Sequence, residues 1–94
     1  MKRIVWSLDK GLALRQDHTR GGIGFEECVA AIENGQLLDV ILNPSPRYPG
    51  QKMFLIEIEH YVYCVPFVET ETERFLKTLF PSRKLTARWF RGKS

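Results

Sequence analysis

Arg83 and Lys84 stand where the apolar run Phe75-Leu76-Lys77-Thr78-Leu79-Phe80-Pro81-Ser82 gives way to residues 83–94, which add Arg88, Arg91 and Lys93 and hold no acidic residue. Two cations at the end of a rigid strand could hold a phosphate at a fixed place. Arg83 suits that task better, because its planar fork meets two phosphate oxygens at once. Neighbours on an extended segment point to opposite sides, so only one of the pair would face a given site. A solvated basic end explains the same residues, and the acidic stretch Glu69-Thr70-Glu71-Thr72-Glu73 could pair with it.

Other side chains offer less. His18, in the loop-like stretch Asp17-His18-Thr19-Arg20-Gly21-Gly22, could exchange protons near neutrality, although a loop histidine is more often a surface residue. His60 falls in a tight turn and is poorly placed for catalysis. Trp6, Phe25, Phe54, Tyr63, Phe67, Phe75 and Phe80 sit at positions expected to be buried, where packing explains them better than stacking on a base. Tyr48 and Trp89 are the exceptions. Trp89, between Arg88 and Arg91, could stack a nucleotide base or anchor a protein interface.

The elements that must position these groups follow from periodicity. Ile4-Val5-Trp6 reads as a first strand or extended arm. Ser7 is a helix N-cap with Asp9 in the first turn, and Leu8 and Leu12 lie four apart in a helix ending near Arg15. Phe25, Cys28, Val29 and Ile32 recur at i, i+3, i+4 and i+7, which predicts a helix over residues 25–34 stopped by Asn34-Gly35. Leu37–Leu42 reads as a strand, and the prolines of residues 43–50 end it. Lys52–Ile58 and residues 61–68 form a hairpin turning at Glu59-His60; both strands are apolar on both faces, which places them centrally. Residues 74–81 supply a further strand, and residues 83–91 a short last helix or tail. The expected fold is α+β, two helices on one face of a mainly antiparallel sheet.

Composition bounds the rest. At 94 residues the chain is a single domain, 1–94, with one modest core. A hydrophobic content of 44% and a charged content of 27% describe an ordinary globular protein. A net charge of +3 allows a polyanionic partner without demanding one. Cys28 and Cys64 are expected to be buried and reduced, and no Cys or His has ligand spacing, so neither a metal nor another cofactor is expected. No apolar run approaches the roughly 18 residues of a membrane span, and Met1-Lys2-Arg3-Ile4 lacks a signal peptide's apolar core. A cytoplasmic location is the expectation.

Taken in order, Trp6-Ser7-Leu8-Asp9-Lys10, Ile23-Gly24-Phe25-Glu26-Glu27, the strand pair within residues 52–68, Phe67-Val68-Glu69 and Ser82-Arg83-Lys84 make the chain similar to the BrnT family of small bacterial toxins. Each motif is short; their order and spacing carry the resemblance. It implies a RelE-like fold and an endoribonuclease acting through 2′-hydroxyl attack on the adjacent phosphate. It also implies a co-produced antitoxin with a ribbon-helix-helix domain, and operator DNA bound through that antitoxin. Metal-independent RNA cleavage needs cations on the phosphate, a base for the 2′-hydroxyl and an acid for the leaving oxygen. Arg83, Glu69 and Lys52 are the catalytic candidates, and Lys84, Arg74, Lys10 and Trp89 the candidate RNA contacts. Glu69 matches the glutamate of the family's Thr-Glu-Arg motif. Lys52 falls where the family often has arginine, and Lys10 matches the lysine of its Trp-Asp-Pro-x-Lys pattern.

The chain also departs from the pattern. Thr70 and Thr78 stand where the family carries arginine, although Arg74 lies near enough to replace one of them. The family's Lys-His-Gly loop is altered to Asp17-His18-Thr19-Arg20-Gly21-Gly22. Two rival functions follow: a non-catalytic module of the same fold that binds antitoxin or DNA, and an inhibitor of a protein target such as gyrase.

Overall fold

The central hairpin organises the molecule. In the computed structural model, which describes residues 2–17 and 22–91, β3 (Lys52–Ile58) and β4 (Tyr61–Glu69) pair antiparallel along their length. Met53, Phe54, Leu55 and Ile56 are all buried, as are residues 62–67, so apolar side chains leave both faces of this ribbon. A ribbon apolar on both faces needs a layer on each side. The turn residues Glu59 and His60 both take positive φ, 53° and 61°, the hallmark of a tight type I′ connection.

On one side lie α1 (Leu8–Gln16) and α2 (Phe25–Glu33), closing a core of Leu14, Phe25, Cys28, Phe54, Ile56 and Phe67 among others. The Ser7 hydroxyl caps α1 by accepting the Lys10 N–H, and the Glu27 carboxylate accepts the Gly24 N–H ahead of α2. Gly11 and Leu14 are the inward residues of α1, while Leu8 and Leu12 point to solvent. Arg15 ties the two helices through Glu26 and Glu27 at 3.0 Å.

The sheet is mixed and six-stranded. Its order is β1-β5-β4-β3-β2, with β1 (Arg3–Trp6) parallel to β5 (Glu73–Leu76), β2 (Leu37–Leu42) antiparallel to β3, and β6 (Phe80–Pro81) pairing further along β4. The α+β class and the mainly antiparallel pairing are as the periodicity predicts, with one parallel pair added.

Two expectations are corrected. Residues 74–81 do not make one strand: Leu76 and Leu79 both enter the same core, which a period of two forbids without a bend. Pro66 on β4 reinforces the break. Its carbonyl accepts the Lys77 N–H at 2.9 Å, so its nitrogen, which carries no proton, faces the same neighbour. The second correction concerns Arg83 and Lys84: residues 83–91 form the expected short last helix, α3 (Arg83–Arg91), so the pair lies in its first turn and not on an extended strand end. Ser82 caps this helix, accepting the Leu85 N–H at 3.2 Å, and Thr86 accepts the Val62 N–H at 2.9 Å. α3 covers the other face of the sheet, where Leu85, Trp89 and Phe90 pack on Met53, Leu55, Val62 and Cys64. The helices therefore lie on both faces, two and one.

Cys28 and Cys64 are buried, unpaired, and on opposite faces; burial pushes their thiols up to about 12 and about 11. Leu79→Ala should cost about 2–5 kcal/mol of stability, because Leu79 is 0% exposed and pins the bend. Leu12→Ala, at 60% exposure, should stay within about 0.5 kcal/mol in the same urea titration.

Candidate functional site

Glu69, the last residue of β4, gathers three cations. Arg74 Nε donates to its carboxylate at 2.8 Å, Lys52 Nζ lies at 3.1 Å and Lys2 Nζ at 3.3 Å. Strand register produces the convergence. Lys52 opens β3 opposite Phe67, two residues before Glu69, and Arg74 on β5 lies directly opposite Glu69. Ile4 of β1 is opposite Arg74, and Lys2 lies two residues before it on the same face. All four side chains thus emerge on the α1–α2 side of the sheet, where the helices no longer cover it.

The floor of the cluster is aromatic. Phe54 and Phe67 stack with centroids 4.2 Å apart and planes 19° apart, and the Arg74 guanidinium lies 5.6 and 5.7 Å from the two ring centroids. Such contacts contribute about 0.5–1 kcal/mol at a partly exposed site, and they restrict where the guanidinium can go. Arg74 is therefore held from below by rings and from the side by Glu69. The hollow above them is lined by Lys2, Lys52, Glu69, Glu71, Thr72 and Arg74.

Hydrogen bonds from Arg74, Lys52 and Lys2 hold the Glu69 carboxyl down at about 2, and the side chain keeps 20% of its surface. It is ionised throughout the neutral range. A carboxylate so stabilised is a weak base until something draws its cations away. A phosphate arriving between Arg74 and the lysines would do that.

Thr70 has a structural task. Its hydroxyl accepts the Glu73 N–H at 3.0 Å and its own N–H donates to the Glu73 carbonyl at 2.8 Å, closing the β4–β5 turn that sets Arg74 opposite Glu69.

The remaining candidates lie apart. Lys10 is exposed on α1 and lines a hollow with Tyr48, Gln51, Lys77 and Thr78. Arg83 is exposed at the start of α3, on the opposite face of the sheet from Glu69, so the two do not form one site. Lys84 borders a separate hollow with Arg88. Trp89 is half-buried against the sheet, where it anchors α3. His18 lies outside the described residues, as does Lys93. His60 sits at the hairpin turn, 3.6 Å from Glu57 and edge-on to Phe90. Lys2 was not legible as a site residue, because only the parallel pairing of β1 with β5 brings it to Glu69.

Among the described residues, no three His, Cys, Asp or Glu side chains converge as a metal ion would require, and no helix is long and apolar enough to cross a membrane. Comparison with protein-family models, curated proteins and solved structures gives no match for this chain.

Protonation of Glu69 should show in stability. Its folded-state value lies below the ordinary 4.5, so its contribution is complete above about pH 4.5 and is lost as pH falls towards about 2. Urea midpoints measured across that range should fall less steeply for Glu69→Gln than for the native chain. Parallel slopes would mean that the carboxylate is not held by its three cations.

Proposed function

We propose that the chain is an RNA-cleaving toxin of a toxin–antitoxin pair, with its active centre at the cluster around Glu69. The observation that carries this reading is the convergence of Lys2, Lys52 and Arg74 on one carboxylate in an open hollow. These are the residue types that metal-independent transfer at phosphorus requires. The resemblance to BrnT supports it, with a RelE-like fold, a cytoplasmic setting, and a ribbon-helix-helix antitoxin through which the pair binds operator DNA.

In this scheme the scissile phosphate enters between Arg74 and Lys52 and takes over their hydrogen bonds from Glu69. Freed of that stabilisation, the carboxylate becomes a stronger base and accepts the 2′-hydroxyl proton. The 2′ oxygen bonds to phosphorus, and the bond from phosphorus to the 5′ oxygen of the next nucleotide breaks. Lys52 or Lys2 gives that oxygen its proton. The products are a 2′,3′-cyclic phosphate and a free 5′-hydroxyl. Arg74 is the phosphate clamp here, a role that Arg83 is too far round the sheet to share.

A second reading has one observation in its favour. A carboxyl held at about 2 is poorly matched to proton abstraction near neutrality, which suits a module that binds RNA or its antitoxin without cutting. Purified protein and labelled RNA separate the two. Cleavage should fall about a hundredfold or more in Arg74→Ala, and Arg74→Lys should restore little of it, because a point charge does not reproduce the fork. Arg83→Ala should cut within a few-fold of the native chain, with thermal melting as the folding control for each variant. RNA that is bound by the native chain but never cut, free or on ribosomes, would leave the binding module standing.

A further inference from the structure

Three hollows border the loop between β2 and β3, a fourth over the Glu69 cluster adjoins one of them, and each shares walls with the next. The hollow over the cluster shares Lys52 and Glu69 with a second, of about 440 Å³, that runs along Tyr48, Gly50 and Gln51. The second shares Tyr48 and Gln51 with a third, of about 420 Å³, where Lys10 and Lys77 lie near Thr78 and Phe80. The third shares Asn43, Ser45 and Phe80 with a fourth, of about 650 Å³, which has Met53, Cys64 and Leu85 as its floor and the exposed Lys84 and Arg88 on its wall. We infer that the four hollows form one track for a single strand of RNA, leading from the Glu69 cluster past Tyr48 and Phe80 to α3.

This rests on the RNA reading above and extends it from the reacting phosphate to the strand on one side of it. Charge supports it first. Every stage carries cations: Lys52 and Arg74 at the cluster, Lys10 and Lys77 midway, Lys84 and Arg88 at the far end. The lining carboxylates, Glu69 and Glu71, are both at the cluster end. Lys84 and Arg88 make no ion pair with a described residue, so their charges are available to phosphates.

Aromatic placement supports it next. Of the exposed large apolar side chains among the described residues, two are aromatic, Tyr48 at 50% and Phe80 at 37%, and both lie on the track. A cationic groove interleaved with open rings is how single strands are held without regard to sequence. The loop is also preformed. Asn43 N–H donates to the Gln51 carbonyl at 2.6 Å and Asn43 Nδ2 to Gln51 Oε1 at 2.7 Å, closing its neck, while the Tyr48 N–H donates to the Ser45 carbonyl at 3.2 Å.

The path decides between strand and duplex. It begins on the α1–α2 side of the sheet and ends on the α3 side, turning around a molecule 39 × 28 × 28 Å in extent. A duplex with a persistence length of about 50 nm does not follow such a turn, whereas a single strand does.

Fluorescence anisotropy with a labelled 2′-O-methyl oligouridine of about ten nucleotides, which cannot be cut, tests the track. Lys84→Ala with Arg88→Ala should weaken binding about tenfold. It should also flatten the slope of log affinity against log salt by about 1.4, two contacts at about 0.7 each. Tyr48→Ala should weaken binding by about tenfold with the salt slope unchanged. A dinucleotide, too short to leave the cluster, should be bound equally well by the Lys84/Arg88 double variant and poorly by Arg74→Ala. The track is overturned if the double variant holds the long probe with native affinity and slope. It is equally overturned if the native chain ignores the probe, or prefers a duplex or an acidic peptide. If binding behaves as expected while no RNA is ever cut, the track stands and the cleavage chemistry falls.

Discussion

The pairing of β3 with β4 is the constraint on which the rest depends. Both strands bury residues on both faces, so neither face can be left to water and helices must close each side. The same pairing sets the site. Because Lys52 is in register with Phe67, the open end of the hairpin brings the first side chain of one strand beside Glu69, the last of the other. The aromatic pair Phe54–Phe67 sits one layer below, where the core meets the hollow. Core packing and the charged cluster are thus consecutive along the same two strands.

Pro66 and Leu79 decide what happens beyond the hairpin. Without a donor at Pro66 the ladder to the next strand lapses, and Leu79 turns into the core in place of a continued extended run. The chain resumes pairing at Phe80–Pro81, on a stretch of β4 nearer the turn, and Ser82 then starts α3 on the other face. That turn carries Arg83 and Lys84 away from Glu69. Arg74, left behind on β5 and clasped by two rings, becomes the arginine of the cluster.

Much of this was legible in the sequence, for identifiable reasons. The α2 stripe of Phe25, Cys28, Val29 and Ile32 has a helical period, and the apolar runs of β3 and β4 could only belong to central strands. Lys52, Glu69 and Arg74 were named through the resemblance to the BrnT pattern, and strand register shows why they meet. What was not legible depends on contacts distant in sequence. The parallel pairing of β1 with β5 joins residues about seventy positions apart, Arg3 with Glu73 among them, and nothing local announces it. The short helix over residues 83–91 was expected, but not the face it covers: Leu85, Trp89 and Phe90 bring it onto the side of the sheet opposite α1 and α2. Trp89 is accordingly an anchor for α3, while Tyr48, held out on its stapled loop, keeps an open face.

In the proposed scheme the phosphate is received by Arg74 and Lys52, displacing the Glu69 carboxylate that they hold. Nuclear magnetic resonance of the Arg74 Nε–Hε group reports that contact directly, since this is the bond Arg74 makes to Glu69 at 2.8 Å. During titration with an RNA carrying a 2′-deoxy nucleotide at the cut site, the Arg74 Hε signal should move progressively as the phosphate replaces the carboxylate. An Arg74 signal that stays fixed while the amides of α3 shift would place phosphate recognition on the opposite face of the sheet and contradict the account.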